Sequence, residues 1–309
     1  MRKRAVNCIR FTLPVNDPAE VAILKDHGAD ELYCGYLDAD WRKKYGGDAV
    51  ISRRQGAANL SDPGALRETA AEARRCGLPL HLTLNGRVTG DETAHLVRIA
   101  EIWAGFGGGG IILQDPALPA LIARLKPMTI TVSLLAVTVN SFGAAFWKRL
   151  GADRIVLPRF LTLPEMKAVA SSATDMIFEA MVMGDMCPFA DGFCRSVHAE
   201  THAPAGPDAA PSCVRETFNP SGWAYHLCME YGAPVPDPCA ACRLKDLKES
   251  GVAVGKVGGR GLPLEKRLGW LDFLCLARAG ERGGDLPRRY RETFGHECRC
   301  YYPKEGHEG

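Results

Sequence analysis

Leu80-His81-Leu82-Thr83-Leu84, a helical stretch from Asp91 to Trp103, and then Ile111-Ile112-Leu113-Gln114 form the passage on which the fold reading turns. Two short apolar runs flank a longer segment with apolar residues at helical spacing, which makes a strand–helix–strand unit. The same alternation extends in both directions. Toward the N-terminus, Cys8-Ile9-Arg10-Phe11-Thr12-Leu13 reads as a strand, with a helix opening near Asp17-Pro18 and closing at Gly28. Glu31-Leu32-Tyr33-Cys34 reads as the next strand. A loop with Gly46-Gly47 and Arg53-Arg54 then leads to a helix from Asp62-Pro63, an N-cap and first-turn proline pair, to Gly77.

Toward the C-terminus, a short helix is expected from Asp115-Pro116, a strand over Thr129–Ser133 and a helix over Ser141–Leu150. A strand over Arg154–Leu157 precedes a helix opening at Thr162-Leu163-Pro164-Glu165, and Phe178–Met183 is the seventh strand. A long irregular stretch separates it from a helix over Arg243–Ser250, a glycine-rich eighth strand over Val252–Val257 and a helix over Pro263–Leu276. Eight strands, each followed by a helix, predict an α/β fold of the (β/α)8 TIM-like barrel type rather than an open doubly wound sheet. The predicted organisation is a barrel domain over 1–280, with a cysteine-rich insertion at about 184–242, and a C-terminal tail over 281–309.

The balance of the chain fits a globular protein. It has 309 residues, 46% of them hydrophobic, so a sizeable core forms without disulfide staples. Lys and Arg number 38 against 36 Asp and Glu, which gives no overall charge with which to hold nucleic acid or a membrane surface. The basic start, Met1-Arg2-Lys3-Arg4, is not followed by the apolar run of a signal peptide, because Asp17, Glu20, Lys25 and Asp26 interrupt it. No apolar run reaches the ~18 residues that cross a bilayer. A cytoplasmic, soluble protein is expected.

Twelve cysteines in such a chain need explaining. None lies between Cys76 and Cys187, and nine fall from Cys187 onward. In a reducing compartment clustered cysteines point to metal rather than to disulfides. Cys187 and Cys194 are followed by Cys213, Cys228 and the pair Cys239-Ala240-Ala241-Cys242. Thiolates suit zinc or an iron–sulfur cluster, and a [4Fe–4S] cluster commonly takes four. A loop closed around one cluster accounts for about 50 residues without clear secondary structure. Cys239–Cys242 is alternatively one knuckle of a zinc site, although a second CxxC is missing. Cys8, Cys76 and Cys275 read as inert packed thiols, and Trp147 as core.

Several segments together resemble peptidase family U32, the collagenase-like proteases, which also contains anaerobic hydroxylases of ubiquinone precursors, tRNA and rRNA. Thr138-Val139-Asn140-Ser141 with Phe146-Trp147-Lys148-Arg149-Leu150-Gly151 is similar to the family's N-S…FW-K-LG segment. Arg154-Ile155-Val156-Leu157-Pro158-Arg159, followed by Leu161–Glu165, is similar to its R-V-V-L-x-R-x-L-S-L-x-E segment. Ile112–Pro116 matches a V-Q-D-P turn, and Gly251 to Arg260 resembles the block G-V-D-S-L-K-I-E-G-R. Cys187-x6-Cys194 matches C-x-x-Y-S-G-x-C with Gly192 retained, whereas Phe189-Ala190-Asp191 departs from it. The resemblance runs from about residue 20 to 280.

It implies a [4Fe–4S] cluster on Cys187, Cys194, Cys213 and Cys239, with Cys242 the alternative fourth ligand. Cys228, Cys298 and Cys300 have no counterpart, which leaves spare thiols or ligands of a second site. The implied activity is oxygen-independent hydroxylation of a small molecule with a carboxylate donor such as prephenate. The alternatives are peptide hydrolysis, or a non-catalytic partner subunit of a heteromeric pair within the family. Loops after barrel strands carry the sites of barrel enzymes. Arg159 and Arg260, with Arg53, Arg54 or Lys256, are candidates to grip donor carboxylates through their forked or ammonium donors. Asn85, Gln114 and Asp115 are candidates to orient substrate, and Asp115 equally serves as a helix cap. No GxSxG or HExxH motif supports hydrolysis. A nucleic-acid substrate is not expected at this length and charge.

Overall fold

The computed structural model describes residues 8–45, 51–52, 58–125, 127–184, 191–192, 237–280 and 285–303. Ten strands occur among them: β1 (Arg10–Pro14), β2 (Glu31–Cys34), β3 (Leu80–Leu84), β4 (Gly110–Leu113), β5 (Thr129–Val132), β6 (Arg154–Val156), β7 (Ile177–Met183), β8 (Pro238–Cys239), β9 (Val252–Val257) and β10 (Arg299–Cys300). Strands β1 to β7 pair in sequence order, all parallel, and β9 pairs with both β1 and β7 to close the ring. The closed eight-stranded parallel barrel predicted from the alternation is therefore formed. Its glycine-rich eighth strand has the limits expected for it.

Helices α1 (Glu20–Asp26), α2 (Ala39–Tyr45), α3 (Pro63–Cys76), α4 (Asp91–Gly105), α5 (Leu118–Ile122), α6 (Ser141–Arg149), α7 (Leu163–Ser171), α8 (Leu244–Glu249), α9 (Leu264–Arg278) and α10 (Leu286–Phe294) accompany the strands. Their starts are written locally. Asp62 accepts from Ala65 N at 2.9 Å to open α3, Asn140 accepts from Gly143 N to open α6, and Thr162 with Glu165 forms a reciprocal capping box on α7. The first strand begins at Arg10 rather than Cys8, two residues later than expected, because its ladder with β9 starts at the Arg10–Val254 pair.

Alternation along each strand, combined with the registers, sorts the side chains into two sets. Phe11, Leu13, Leu32, Leu82, Ile111, Ile130, Ile155 and Phe178 face out toward the helices, all buried. The inward set follows the pairs Thr12–Glu31, Tyr33–His81, Thr83–Ile112, Thr131–Arg154, Val156–Glu179 and Thr12–Lys256. Barrel lumens are ordinarily filled by branched apolar layers. Here the apolar core lies in the shell between strands and helices, and the lumen is polar.

Residues 285–303, within the stretch expected as a C-terminal tail, are docked on the barrel. After α10, β10 extends the sheet by pairing with β8, which itself runs antiparallel to β7. Aromatic side chains hold it there: Tyr290 Oη donates to Asp237 O at 2.7 Å, Tyr302 Oη to Met181 O at 2.9 Å, and Tyr301 Oη to Gly184 O.

Candidate active site

The lumen carries a buried ion network. Arg154 forks onto Glu31, at 2.6 and 3.2 Å, and reaches Glu179 at 3.2 Å; Lys256 Nζ donates to Glu179 at 2.8 Å. All four are nearly inaccessible. Lys256 also lies 4.0 Å above the centre of the Tyr33 ring, whose hydroxyl donates to Val257 O. The Nε2 atom of His81 stands 3.3 Å from Glu31 without hydrogen-bond alignment. Gly110 makes room for that imidazole: a Cβ there would lie 2.4 Å from His81 Nδ1.

These contacts set the protonation states. Burial pushes the Glu31 carboxyl up, but His81 and Arg154 outweigh it and hold the group far below the usual carboxylate range. Burial likewise opposes ionisation of Glu179, and Lys256 and Arg154 reverse the balance. His81 is driven down by burial against the pull of Glu31, so it is neutral at neutral pH. A carboxyl depressed on folding adds stability above its unfolded value, and that stability is lost as pH falls through the folded value. Stability is therefore expected to be flat near neutrality and to decline below the ordinary glutamate value of 4.5. Urea midpoints measured from pH 7 to pH 3 check this, and Glu31→Gln should flatten the acid limb.

Asn85, Gln114 and Ser133 follow directly on the C-terminal ends of β3, β4 and β5. Asn85 Nδ2 donates to Ser133 Oγ at 3.1 Å, and Gln114 Nε2 donates to Asn85 O at 2.6 Å. Asn85 Oδ1, and Thr83 Oγ1 and Thr131 Oγ1 on the inward faces of β3 and β5, are buried and have no protein partner. Buried polar atoms without partners are rare and are commonly satisfied by water or ligand. Two of the predicted substrate-orienting residues are thus joined at the mouth. The third is not: Asp115 Oδ1 accepts from Ala117 N at 2.9 Å, so it serves the turn into α5, the alternative role given it above.

Both predicted arginines reach the rim, and both are held by protein groups. Arg260 donates to Ser52 O at 2.6 Å and Ser52 Oγ at 3.1 Å, and Asn59 fixes that hydroxyl. Arg159 is clamped by Asp191, through its backbone N–H at 2.8 Å and Nε at 3.0 Å. Asp191 lies between Cys187 and Cys194 in sequence, in the Phe189-Ala190-Asp191 stretch that departs from the family pattern. Its neighbour Gly192 accepts from Arg87 at 2.6 Å and seats against Val137, the one non-glycine residue with positive φ among the described residues. A Cβ on Gly192 would lie 2.2 Å from Val137 Cγ2 and 2.3 Å from Leu135 O. Arg159, Arg87 and Val137 therefore pin the middle of the Cys-x6-Cys motif to the mouth. Cys187, Cys194, Cys213, Cys228, Arg53 and Arg54 lie outside the described residues.

Cys239, the expected fourth cluster ligand, is buried on β8 and stands opposite Cys300 in the bridge between β8 and β10. The N–H of Ala241 donates to Cys239 Sγ at 3.3 Å. Cys300 is thus brought beside Cys239 by the fold. Cys34, at the end of β2, faces out of the lumen, and burial pushes its thiol up to about 12. Trp147 is buried, as expected of core.

The model of peptidase family U32 matches residues 16–266. The chain belongs to this family. Among curated relatives, the U32 chain is 28% identical over 124 residues to "tRNA hydroxylation protein P" of Escherichia coli (strain K12), covering 40% of this chain and 27% of that protein. It is 28% identical over 183 residues to the 23S rRNA 5-hydroxycytidine synthase of the same organism, covering 59% and 25%. The U32 chain therefore spans about a quarter of the length of these two proteins. A solved U32 peptidase superposes with a TM-score of 0.52 at 14% identity, over 85% of this chain and 98% of that one, which shows the shared fold. With relatives named for RNA modification, the near-neutral charge of this chain does not count against a nucleic-acid substrate. No helix among the described residues is long and apolar enough to cross a membrane.

Proposed function

We propose that this U32 chain is an oxygen-independent hydroxylase that works at the mouth of its polar barrel. The observation that carries the reading is the clamp of Asp191 and Gly192, which lie between Cys187 and Cys194 in sequence, onto Arg159, Arg87 and Val137. The names of the curated relatives support it. A [4Fe–4S] cluster on Cys187, Cys194, Cys213 and one further cysteine would supply electron transfer there. Thiolate donors suit iron.

The chain's own residues do the rest. Lys256, paired with Glu179 and set over the Tyr33 ring, forms a charge-balanced polar floor. Asn85 Oδ1 and the threonine hydroxyls offer unpaired acceptors and donors to a polar substrate. Turning C–H into C–OH is a two-electron oxidation, so the oxygen donor must be reduced as it gives up one oxygen. The rim arginines Arg159 and Arg260, each already bound to a protein group, would favour a carboxylate donor such as prephenate through the positive field of their guanidinium groups. The relatives' names make RNA the first substrate to test, and a small molecule the second.

Peptide hydrolysis, the activity in the family's name, needs an activated nucleophile beside a base. Among the described residues Cys34 is protonated and turned outward, and His81 is buried in the lumen. The test is mass spectrometry of nucleosides and of small aromatic acids after anaerobic incubation with cluster-replete protein and prephenate. A donor-dependent gain of one oxygen supports the proposal. Peptide cleavage by the same preparation, with no hydroxylated product from either class, overturns it.

A further inference from the structure

The inward side chains of β3 and β5 form a polar ladder that runs down the lumen from the mouth. Asn85 and Ser133, just past the two strands, make its top rung. Thr83 and Thr131 make the middle one, both in register with Ile112 of the strand between them. His81 and Thr129, both in register with Gly110, make the lowest. Asn85 Nδ2 donates to Ser133 Oγ at 3.1 Å, so side chains two strands apart reach each other at the top of the ladder.

Below that contact the polar atoms are left over. Asn85 Oδ1, Thr83 Oγ1, Thr131 Oγ1 and both ring nitrogens of His81 have no partner among the described residues. Arg154 Nε, on the strand that pairs with Thr131, is a sixth such atom. Every one of these residues is at most 8% exposed. A single buried polar atom without a partner is an exception, whereas six lining one lumen call for a common partner. Successive rungs stand two residues apart along a strand, about 6.6 Å. That is too far for a direct hydrogen bond and close to the span of one water molecule bonded on both sides, about 5.6 Å. At the foot, His81 is surrounded by charge: Glu31 from β2, Arg154 from β6, and beyond them Arg10 of β1, Glu179 of β7 and Lys256 of β9.

We propose that bound water joins these rungs into a proton path, from Asn85 at the mouth, past Thr83 and Thr131, to His81 as its inner end. Hydroxyls and water both donate and accept, so a proton passes along the file by exchange of hydrogen bonds. At the inner end it adds to the unprotonated ring nitrogen and leaves an imidazolium beside the Glu31 carboxylate. The mouth gives up that one proton, no other bond changes, and the reverse step returns it. Burial and the Arg154 charge keep His81 neutral at rest, and Glu31 and Glu179 favour the charged ring once a proton arrives. His81 holds the proton, and the two threonines position the water that carries it.

The path does not rest on the hydroxylase reading, and its test uses neither iron nor product. Thr83→Val and Thr131→Val, singly and together in the full chain, keep the shape of each side chain and remove its hydroxyl. The first readout is the urea midpoint. A hydroxyl bonded to water loses a hydrogen bond on replacement, so the midpoint should fall; a hydroxyl buried dry is relieved, so the midpoint rises. The second is exchange of the His81 ring N–H with solvent, followed by NMR on protein labelled with nitrogen-15 histidine. The double variant should slow that exchange at least about tenfold, the worth of one hydrogen bond. Midpoints that stay or rise in both single variants would overturn the path. Exchange as fast in the double variant as in the parent would do the same, because the proton then enters from the Arg10 end. If the variants misfold, a high-resolution crystal structure of the unaltered chain decides: water bonded between the rungs supports the path, and a dry ladder overturns it.

Discussion

Replacing Arg154 by Met is expected to cost about 3–5 kcal/mol of folding stability, the largest effect of any single lumen change. The guanidinium is the shared partner of Glu31 and Glu179, both about 1% exposed, so its loss strands two carboxylates in a medium that cannot solvate them. Met fills the volume without the charge. Lys256 still neutralises Glu179, which makes Glu31 the group that suffers, left with half-exposed Arg10 and neutral His81. Urea denaturation measures the loss. Adding Glu31→Gln to the variant should recover a large part of it. If the single variant is as stable as the parent, the network is not buried as described.

The second large effect is on function. Asp191→Asn keeps the shape of the side chain but removes the charge that clamps Arg159. Residues that orient metal ligands from behind typically change metal affinity or activity by about 10–100-fold when altered. Iron occupancy and hydroxylation should fall together by that order, while thermal unfolding of the barrel shifts little, because the Asp191 segment is not part of the strand ladder. Reversing the pair, Arg159→Asp with Asp191→Arg, should restore part of the iron. A substrate-gripping role for Arg159 predicts a different pattern: full iron content in Asp191→Asn, with the donor KM alone affected.

Much of this architecture is legible in the sequence because the signals are local. Asp62-Pro63 and Thr162 through Glu165 announce helix starts that the structure forms through side-chain caps. The polar lumen was present in the same letters and is harder to read. Leu80-His81-Leu82-Thr83-Leu84 alternates strictly, whereas parallel strands covered on both faces usually run continuously apolar. Glu31, Arg154, Glu179 and Lys256 each interrupt an apolar strand in the same way. Taken singly they look like strand ends or surface charges. Only the register, which spans more than a hundred residues between Glu31 and Arg154, shows that they face one another.

The site divides along the same line. Asn85 and Gln114 were found because strand ends carry barrel sites, and they are joined as expected. Arg159 and Arg260 were placed at the rim, but their partners, Asp191 and Ser52, come from loops whose path no periodicity encodes. The pairing of Cys239 with Cys300 depends on a two-residue bridge between segments about sixty residues apart. Strands that short leave no pattern in the sequence.

The measurement that bears most directly on the whole account is iron and acid-labile sulfide per chain, in protein purified without oxygen, for the parent and for Cys187→Ala. The account predicts about four of each in the parent, as for one [4Fe–4S] cluster, and their loss in the variant together with donor-dependent hydroxylation. A parent protein that holds no iron after anaerobic reconstitution, yet cleaves peptides, would contradict it.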